Sequence, residues 1–249
     1  MSAPLSSASS AAASSPPVPE VDSRALRVSG LLRGGGAPLA GASFEAAPGE
    51  LTVLLSEDGS GQALLRAATG IDPVDSGASA LRGERLDRRR GDSNSLTPRQ
   101  VGLIAPGLDF RSSSLAAALA EWLEAGREDR ASRELERVGE SLGFAGLGTA
   151  HVAELPEALR HRAAIGRALV PGPGMLAVLD PFGSLPGRER LMLEGMLRVL
   201  AHEYGLPVVY ATGTAESASR AHRVVRVSGG EVVADVHGWA NIKRAFPEP

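Results

Sequence analysis

With 249 residues, the chain is long enough for one large α/β domain with a substantial core, or at most two small domains. Hydrophobic residues make up 43% of it and aromatic ones only 4%, so the core must be built mainly from Leu, Val and Ala, which favours aliphatic helix-on-sheet packing. A net charge of -3 excludes the sequence-independent attraction that nucleic-acid and anionic-membrane binders use, and the absence of cysteine excludes disulfides and thiolate metal sites and fits a cytoplasmic protein.

Residues 1–23 are Ser, Ala and Pro with almost no charge, which predicts a disordered tail rather than a secretion signal. No run approaches the roughly 18 apolar residues of a membrane span, so a membrane role would have to come through a partner. From Ala25 onward, short β-type runs alternate with helical segments: Leu26 to Ser29, Leu51 to Leu55, Val101 to Ala105, Met175 to Leu179, Pro207 to Ala211 and Val224 to Val227. Leu51 to Leu55, Met175 to Leu179 and Pro207 to Tyr210 are apolar throughout. That pattern predicts strands covered on both faces, as in a mostly parallel sheet with flanking helices.

Helical periodicity is clearest over Leu115 to Glu124, Arg130 to Leu142 and Arg188 to His202. In the last, Leu191, Met192, Met196, Leu197, Val199 and Leu200 are read as one broad apolar face. Two successive helices over Ser113 to Gly143, with no strand between them, suggest a helical subdomain inserted into an α/β core. Gly229 and Gly230 between two β-type runs predict a hairpin turn. The basic run Arg82 to Arg90, interrupted by Glu84 and Asp87, reads as a solvated turn.

Leu51 to Gly70 reads LTVLLSEDGSGQALLRAATG: an apolar strand, a Gly-rich turn, then a helix. A phosphate-binding loop needs that order, because the turn amides and the helix N-terminus together cradle the phosphates. The usual pattern ends in Gly-Lys-Ser/Thr, with the lysine on the outer phosphates and the hydroxyl on magnesium. Here Gly59, Ser60, Gly61, Gln62 and Ala63 fill those places, and the opening glycine is Ser56. Glu57 and Asp58 would repel a triphosphate. From this segment alone, an ordinary strand-to-helix turn explains the residues as well.

Leu155 to Leu185 reads LPEALRHRAAIGRALVPGPGMLAVLDPFGSL. It resembles the stretch of an ATP-binding-cassette (ABC) transporter ATPase that runs from the LSGGQ signature through a helix of the type RQRVAIARAL to an apolar strand ending in Asp-Glu-Pro. Arg160, Arg162, Ala164, Ile165, Arg167, Ala168 and Leu169 fall in register with that helix, and Met175 to Asp180 with that strand. Phe44 to Glu50 resembles the turn before the phosphate loop, Val101 to Ala105 the strand before the glutamine loop, and Val208 to Val233 the switch-loop and terminal-strand region. The likeness spans about Ala25 to Val233 in the right order.

The departures concentrate where the family keeps its chemistry. Pro156, Glu157, Ala158 and Leu159 replace Ser-Gly-Gly-Gln. Asp180 remains as the family's magnesium-side carboxylate, but Pro181 replaces the glutamate that activates water, and proline has no proton to exchange. Gly213 stands for the switch histidine, Pro106 for the glutamine, Gly34 to Gly36 for the adenine-stacking aromatic, and Ser184 to Gly187 for Ser-Ala-Leu-Asp. His151, His161, His202, His222 and His237 lack metal-ligand spacing and are read as non-catalytic. Trp122 is read as subdomain core, although the family's permease coupling helix docks nearby.

The resemblance implies an α/β, P-loop NTPase-like ABC domain over residues 24–235, with a mixed sheet, an N-terminal antiparallel region and a helical subdomain at about 107–160. Residues 236–249 are left as a C-terminal tail. The implied function is that of a pseudo-ATPase subunit, a scaffold or regulator on a transmembrane permease at the inner face of the cell membrane, with a homologous ATPase as a second partner. No catalytic residue, metal or cofactor is expected. The alternative is an ABC ATPase with deviant motifs that binds or slowly hydrolyses magnesium-ATP, with Arg66 partly replacing the lysine charge.

Overall fold

The computed structural model describes residues 23–36, 38–88, 97, 99–107, 109–123 and 128–246, with the side chains of 128–132 left aside. The predicted tail up to residue 22, Arg89 and Arg90 of the basic run, and Glu124 at the end of the first predicted helix lie outside them.

Two sheets form the frame. The first is antiparallel, in the order β2-β1-β4-β5, built from β1 (Leu26–Arg33), β2 (Leu39–Ala46), β4 (Ser76–Leu81) and β5 (Glu84–Arg85). The second runs in the order β10-β9-β3-β8-β7-β6, from β3 (Leu51–Leu55), β6 (Val101–Ile104), β7 (Met175–Leu179), β8 (Val208–Thr212), β9 (Arg223–Ser228) and β10 (Glu231–His237). All its neighbours pair in parallel except β10 with β9. The antiparallel pair turns on Gly229 and Gly230, both at positive φ (58° and 84°), a conformation that glycine adopts without a Cβ clash.

Every residue of β3, β7 and β8 is buried, as their unbroken apolar runs predict. Leu54 joins one core with β1, β2 and α1 (Ser60–Ala68), while Leu51, Val53 and Leu55 join the other. That second core packs on α4 (Glu157–Leu169) and α5 (Gly187–Tyr204). Between β6 and β7 the chain passes through α2 (Leu115–Ala120), α3 (Glu128–Ser141), a 3₁₀ turn (Val152–Glu154) and α4.

Two expectations need correction. The buried face of α5 is Leu193, Glu194, Leu197, Leu200 and Ala201, whereas Met192 and Val199 are 55% and 54% exposed. The face follows the packing against β3, β8 and the 3₁₀ turn Ala215–Arg220, and Glu194 enters it because its carboxyl finds a hydroxyl there. Second, residues 236–246 are built into the fold. Strand β10 runs on to His237, and α6 (Trp239–Ala245) follows with Ile242 only 1% exposed.

Candidate functional site

Strand β3 delivers Ser56 to Gly59 as a tight turn into α1, with Gly59 left-handed at φ 77°. Two of the turn's amides, those of Ser60 and Gly61, bond to side chains of the loop itself. The Gly61 amide donates to Ser56 Oγ at 2.8 Å, and the Ser56 hydroxyl faces Gln62 Oε1 at 3.5 Å. A Cβ on Gly61 would lie 2.8 Å from Ser56 Oγ, so this close approach needs glycine. The Ser60 amide donates to Asp58 Oδ1 at 2.9 Å, the Ser60 hydroxyl donates to the same oxygen, and the Gly229 amide donates to Asp58 Oδ2 at 2.7 Å. The Ser60 hydroxyl, then the Gly229 and Ser60 amides, pull the Asp58 pKa down to about 2. Asp58 thus ties the loop to the β9–β10 turn.

Beside the loop lies a cleft of 590 Å³, lined on one side by Gly34, Gly35 and Gly36 and on the other by Gln62, Ala63 and Arg66. Arg66 grips Asp72 with two nitrogens, Nε to Oδ2 at 3.0 Å and Nη2 to Oδ1 at 2.7 Å, and Arg33 Nη1 reaches Asp72 Oδ2 at 2.8 Å. Hydrogen bonding from Arg66 is the main influence holding the Asp72 carboxyl below its usual range. The guanidinium read as a stand-in for the missing lysine is therefore already engaged. The chain's single lysine, Lys243, is on α6, with its ammonium 4.4 Å from the centre of the Trp239 ring.

Asp180 directly follows β7 with a positive φ of 40°, a strained conformation for a residue other than glycine. Both its carboxylate oxygens are taken: Tyr210 donates its hydroxyl to Oδ1 and Thr212 to Oδ2, each at 2.9 Å. Burial, followed by the Asp180 charge, drives the Tyr210 phenol far above its usual pKa, so it keeps the proton it donates to Asp180. Thr212 joins the two halves of the site, since its carbonyl accepts the Ser56 amide at 3.0 Å while its hydroxyl holds Asp180. A Cβ on Gly213 would come 3.3 Å from the Ser56 carbonyl, which places the switch position at the loop.

The remaining positions of the resemblance stand elsewhere. Glu157, at the start of α4, accepts from the Ser184 hydroxyl at 2.9 Å. Pro106 is exposed. His222 Nδ1 accepts the Leu51 amide at 2.9 Å, His237 sits 3.1 Å from Glu50, and His161 meets Phe182 edge-on. Among the described residues no group of three or more His, Asp or Glu side chains could hold a metal ion, and no helix is long and apolar enough to cross a membrane.

The sequence did not disclose the environment of Arg167. It is 2% exposed, stacked between Phe110 (4.4 Å) and Trp122 (4.5 Å), paired with Glu121 at 3.0 Å, and bonded to the Asp109 carbonyl at 3.0 Å. Glu121 also accepts the Arg111 and Ser112 amides at 2.7 Å each. The cluster fastens the segment after β6 onto α4.

An apolar strand, a glycine turn and a helix in a mixed sheet with an antiparallel N-terminal sheet is the architecture of a phosphate-loop, ABC-type ATP-binding domain. The solved structure of cbiO1 from Clostridium perfringens, described as part of the ABC transporter complex cbiONQ, superposes with a TM-score of 0.76 at 21% identity, covering 90% of both chains. The ADP form of MJ1267, an ATP-binding cassette of an ABC transporter, gives 0.72 at 17%, covering 90% of this chain and 95% of that one. No family model matches the sequence. The aliphatic sulfonates import ATP-binding protein SsuB 2 of Mesorhizobium japonicum is 30% identical over 219 residues, covering 86% of this chain and 82% of that protein. The Fe(3+) ions import ATP-binding protein FbpC of Streptomyces avermitilis is 34% identical over 212 residues, 80% of this chain and 58% of that protein. For the sulfate/thiosulfate import ATP-binding protein CysA of Gloeobacter violaceus the identity is 32% over 179 residues, 70% of this chain; the match spans about half, 51%, of that relative's length. The chain belongs to the ABC transporter ATP-binding subunit family.

Proposed function

We propose that this chain is a non-hydrolysing member of its family, a scaffold or regulatory subunit that sits on a membrane permease from the cytoplasmic side. A homologous ATPase is the natural second partner. The observation that carries this reading is the self-satisfied loop: Gly61 and Ser60 give their amides to Ser56 and Asp58, groups of the chain itself. Magnesium-ATP does not suit these residues. Gln62 brings no charge, Ala63 brings no hydroxyl for magnesium, and both Asp180 oxygens already accept hydrogen bonds. A charge-assisted contact contributes about 1.5–3 kcal/mol, so losing the lysine alone weakens binding by about tenfold or more. No general base follows Asp180, because Pro181 stands there.

A second reading, an ATPase with deviant motifs, is favoured by the names of its relatives, which are import ATP-binding proteins. A hydrolysis assay on the purified chain separates the two. Turnover at background supports the proposal, whereas steady turnover that vanishes in Asp180→Asn supports the second reading.

A further inference from the structure

The hydrogen bonds that hold Asp180 lead inward to a group the site does not use. Helix α5 turns Glu194 into the core, where it is 0% exposed. Its Oε1 accepts the Ser217 hydroxyl at 2.6 Å, and its Oε2 is buried with no hydrogen-bond partner. The charged and titratable groups acting on it come from several sides. Its own helix offers Arg190, whose guanidinium is 3.4 Å from Glu216 on the 3₁₀ turn. Strand β8 offers the Tyr210 hydroxyl, already given to Asp180, and the end of β7 offers the Asp180 charge. Helix α4, also packed on α5, carries Arg160, His161 and Arg162, with His161 against Phe182; β3 carries no titratable side chain.

An ionised carboxylate in this place would have one oxygen unsatisfied and a second carboxylate nearby, which is costly in a dry interior. A neutral acid removes the larger cost, that of the buried charge, and still accepts from Ser217. Burial pushes the Glu194 pKa up and outweighs the Ser217 hydroxyl, Arg190 and Tyr210, which pull it down; Asp180 adds the smallest upward push.

We propose that Glu194 is a buried neutral acid, and that its proton keeps the turn Ala215–Arg220 closed on α5, so that giving up the proton to solvent opens this turn. The turn is held to α5 by the Ser217 hydroxyl and by the exposed Arg190–Glu216 pair at 3.4 Å, with Ala218 buried beneath it and the Ser217 amide bonded to the Thr214 carbonyl at 3.2 Å. Opening it admits water to the new charge. Because Thr212 and Thr214 lead into the turn and Thr212 holds Asp180, the proton on Glu194 governs order at the edge of the candidate site. This holds whether or not the chain hydrolyses ATP.

The test uses the full-length protein. Infrared spectra recorded upward from the ordinary carboxyl value of 4.5 should show a protonated-carboxyl band that Glu194→Gln lacks. Amide hydrogen exchange over residues 213–221, corrected for the chemical rate, should quicken with pH by up to about tenfold per unit between that value and the raised one, then level off. In Glu194→Gln it should stay flat. Should that variant not fold, Ser217→Ala keeps the acid and loosens the clasp, so exchange there should be faster at every pH while the infrared band remains. A Glu194 band that titrates at the ordinary value, or exchange with the same pH dependence in wild type and Glu194→Gln, overturns the proposal.

Discussion

Ser56 Oγ accepts the Gly61 amide at 2.8 Å, so the side chain that opens the glycine turn fills the turn it opens. A glycine at this place would leave the buried amide without a partner. Ser56→Gly should therefore lower stability by about 1–3 kcal/mol, read as an earlier urea midpoint with an unchanged slope. A variant as stable as the wild type would mean that this bond contributes nothing.

Restoring a phosphate loop takes more than the two consensus residues. Gln62→Lys with Ala63→Ser should recover little affinity for magnesium-ATP, because Ser56 and Asp58 still hold the amides. Adding Ser56→Gly and Asp58→Ala should improve on the double variant by about tenfold or more by calorimetry, and neither variant should hydrolyse ATP, since Pro181 remains. Equal affinity in the two variants would show that the internal bonds are not in the way.

Asp58 gives the loop a sensitivity to acid. Its pKa is depressed from 3.8 to about 2 in the folded chain, so the stability it contributes is present above 3.8 and is lost as pH falls toward 2. In urea titrations across that window, Asp58→Asn should flatten part of the decline seen in the wild type. Parallel curves would remove Asp58 from the account.

How much of this was legible in the sequence depended on distance along the chain. The unbroken runs of β3, β7 and β8 announced buried strands, and Gln62, Ala63 and Pro181 marked departures from the family pattern, because each is local. Strands β2 and β4 were passed over, since small residues and glycines dilute their alternation. The face of α5 was misplaced because apolar residues flank both sides of the true face, which also holds a glutamate. Asp58 was read only as a charge that repels, although it caps Gly229, 171 residues away. The partners of Asp180 and Arg66 were equally hidden: Tyr210 and Thr212 lie 30 and 32 positions from Asp180, and Asp72 had no motif to mark it.

Arg167 holds Asp109, Phe110, Glu121 and Trp122 together, and Trp122 is the residue near which the resemblance places a permease's coupling helix. Removing one member of a buried ion pair costs about 3–5 kcal/mol, so Glu121→Ala should destabilise the chain by that order. Trp122→Phe, which keeps a ring over the guanidinium, should melt close to the wild type, whereas Trp122→Ala should not. For folded variants, pull-down from native membranes then reports the docking contribution of Phe110 and Trp122 separately from their packing.

The most direct test of the central claim is calorimetric titration of the purified full-length chain with magnesium-ATP. A self-satisfied loop without lysine or magnesium hydroxyl predicts no measurable heat, or a dissociation constant on the order of millimolar. Micromolar binding that is lost on Gly61→Ala, a change directed at the loop, would contradict it.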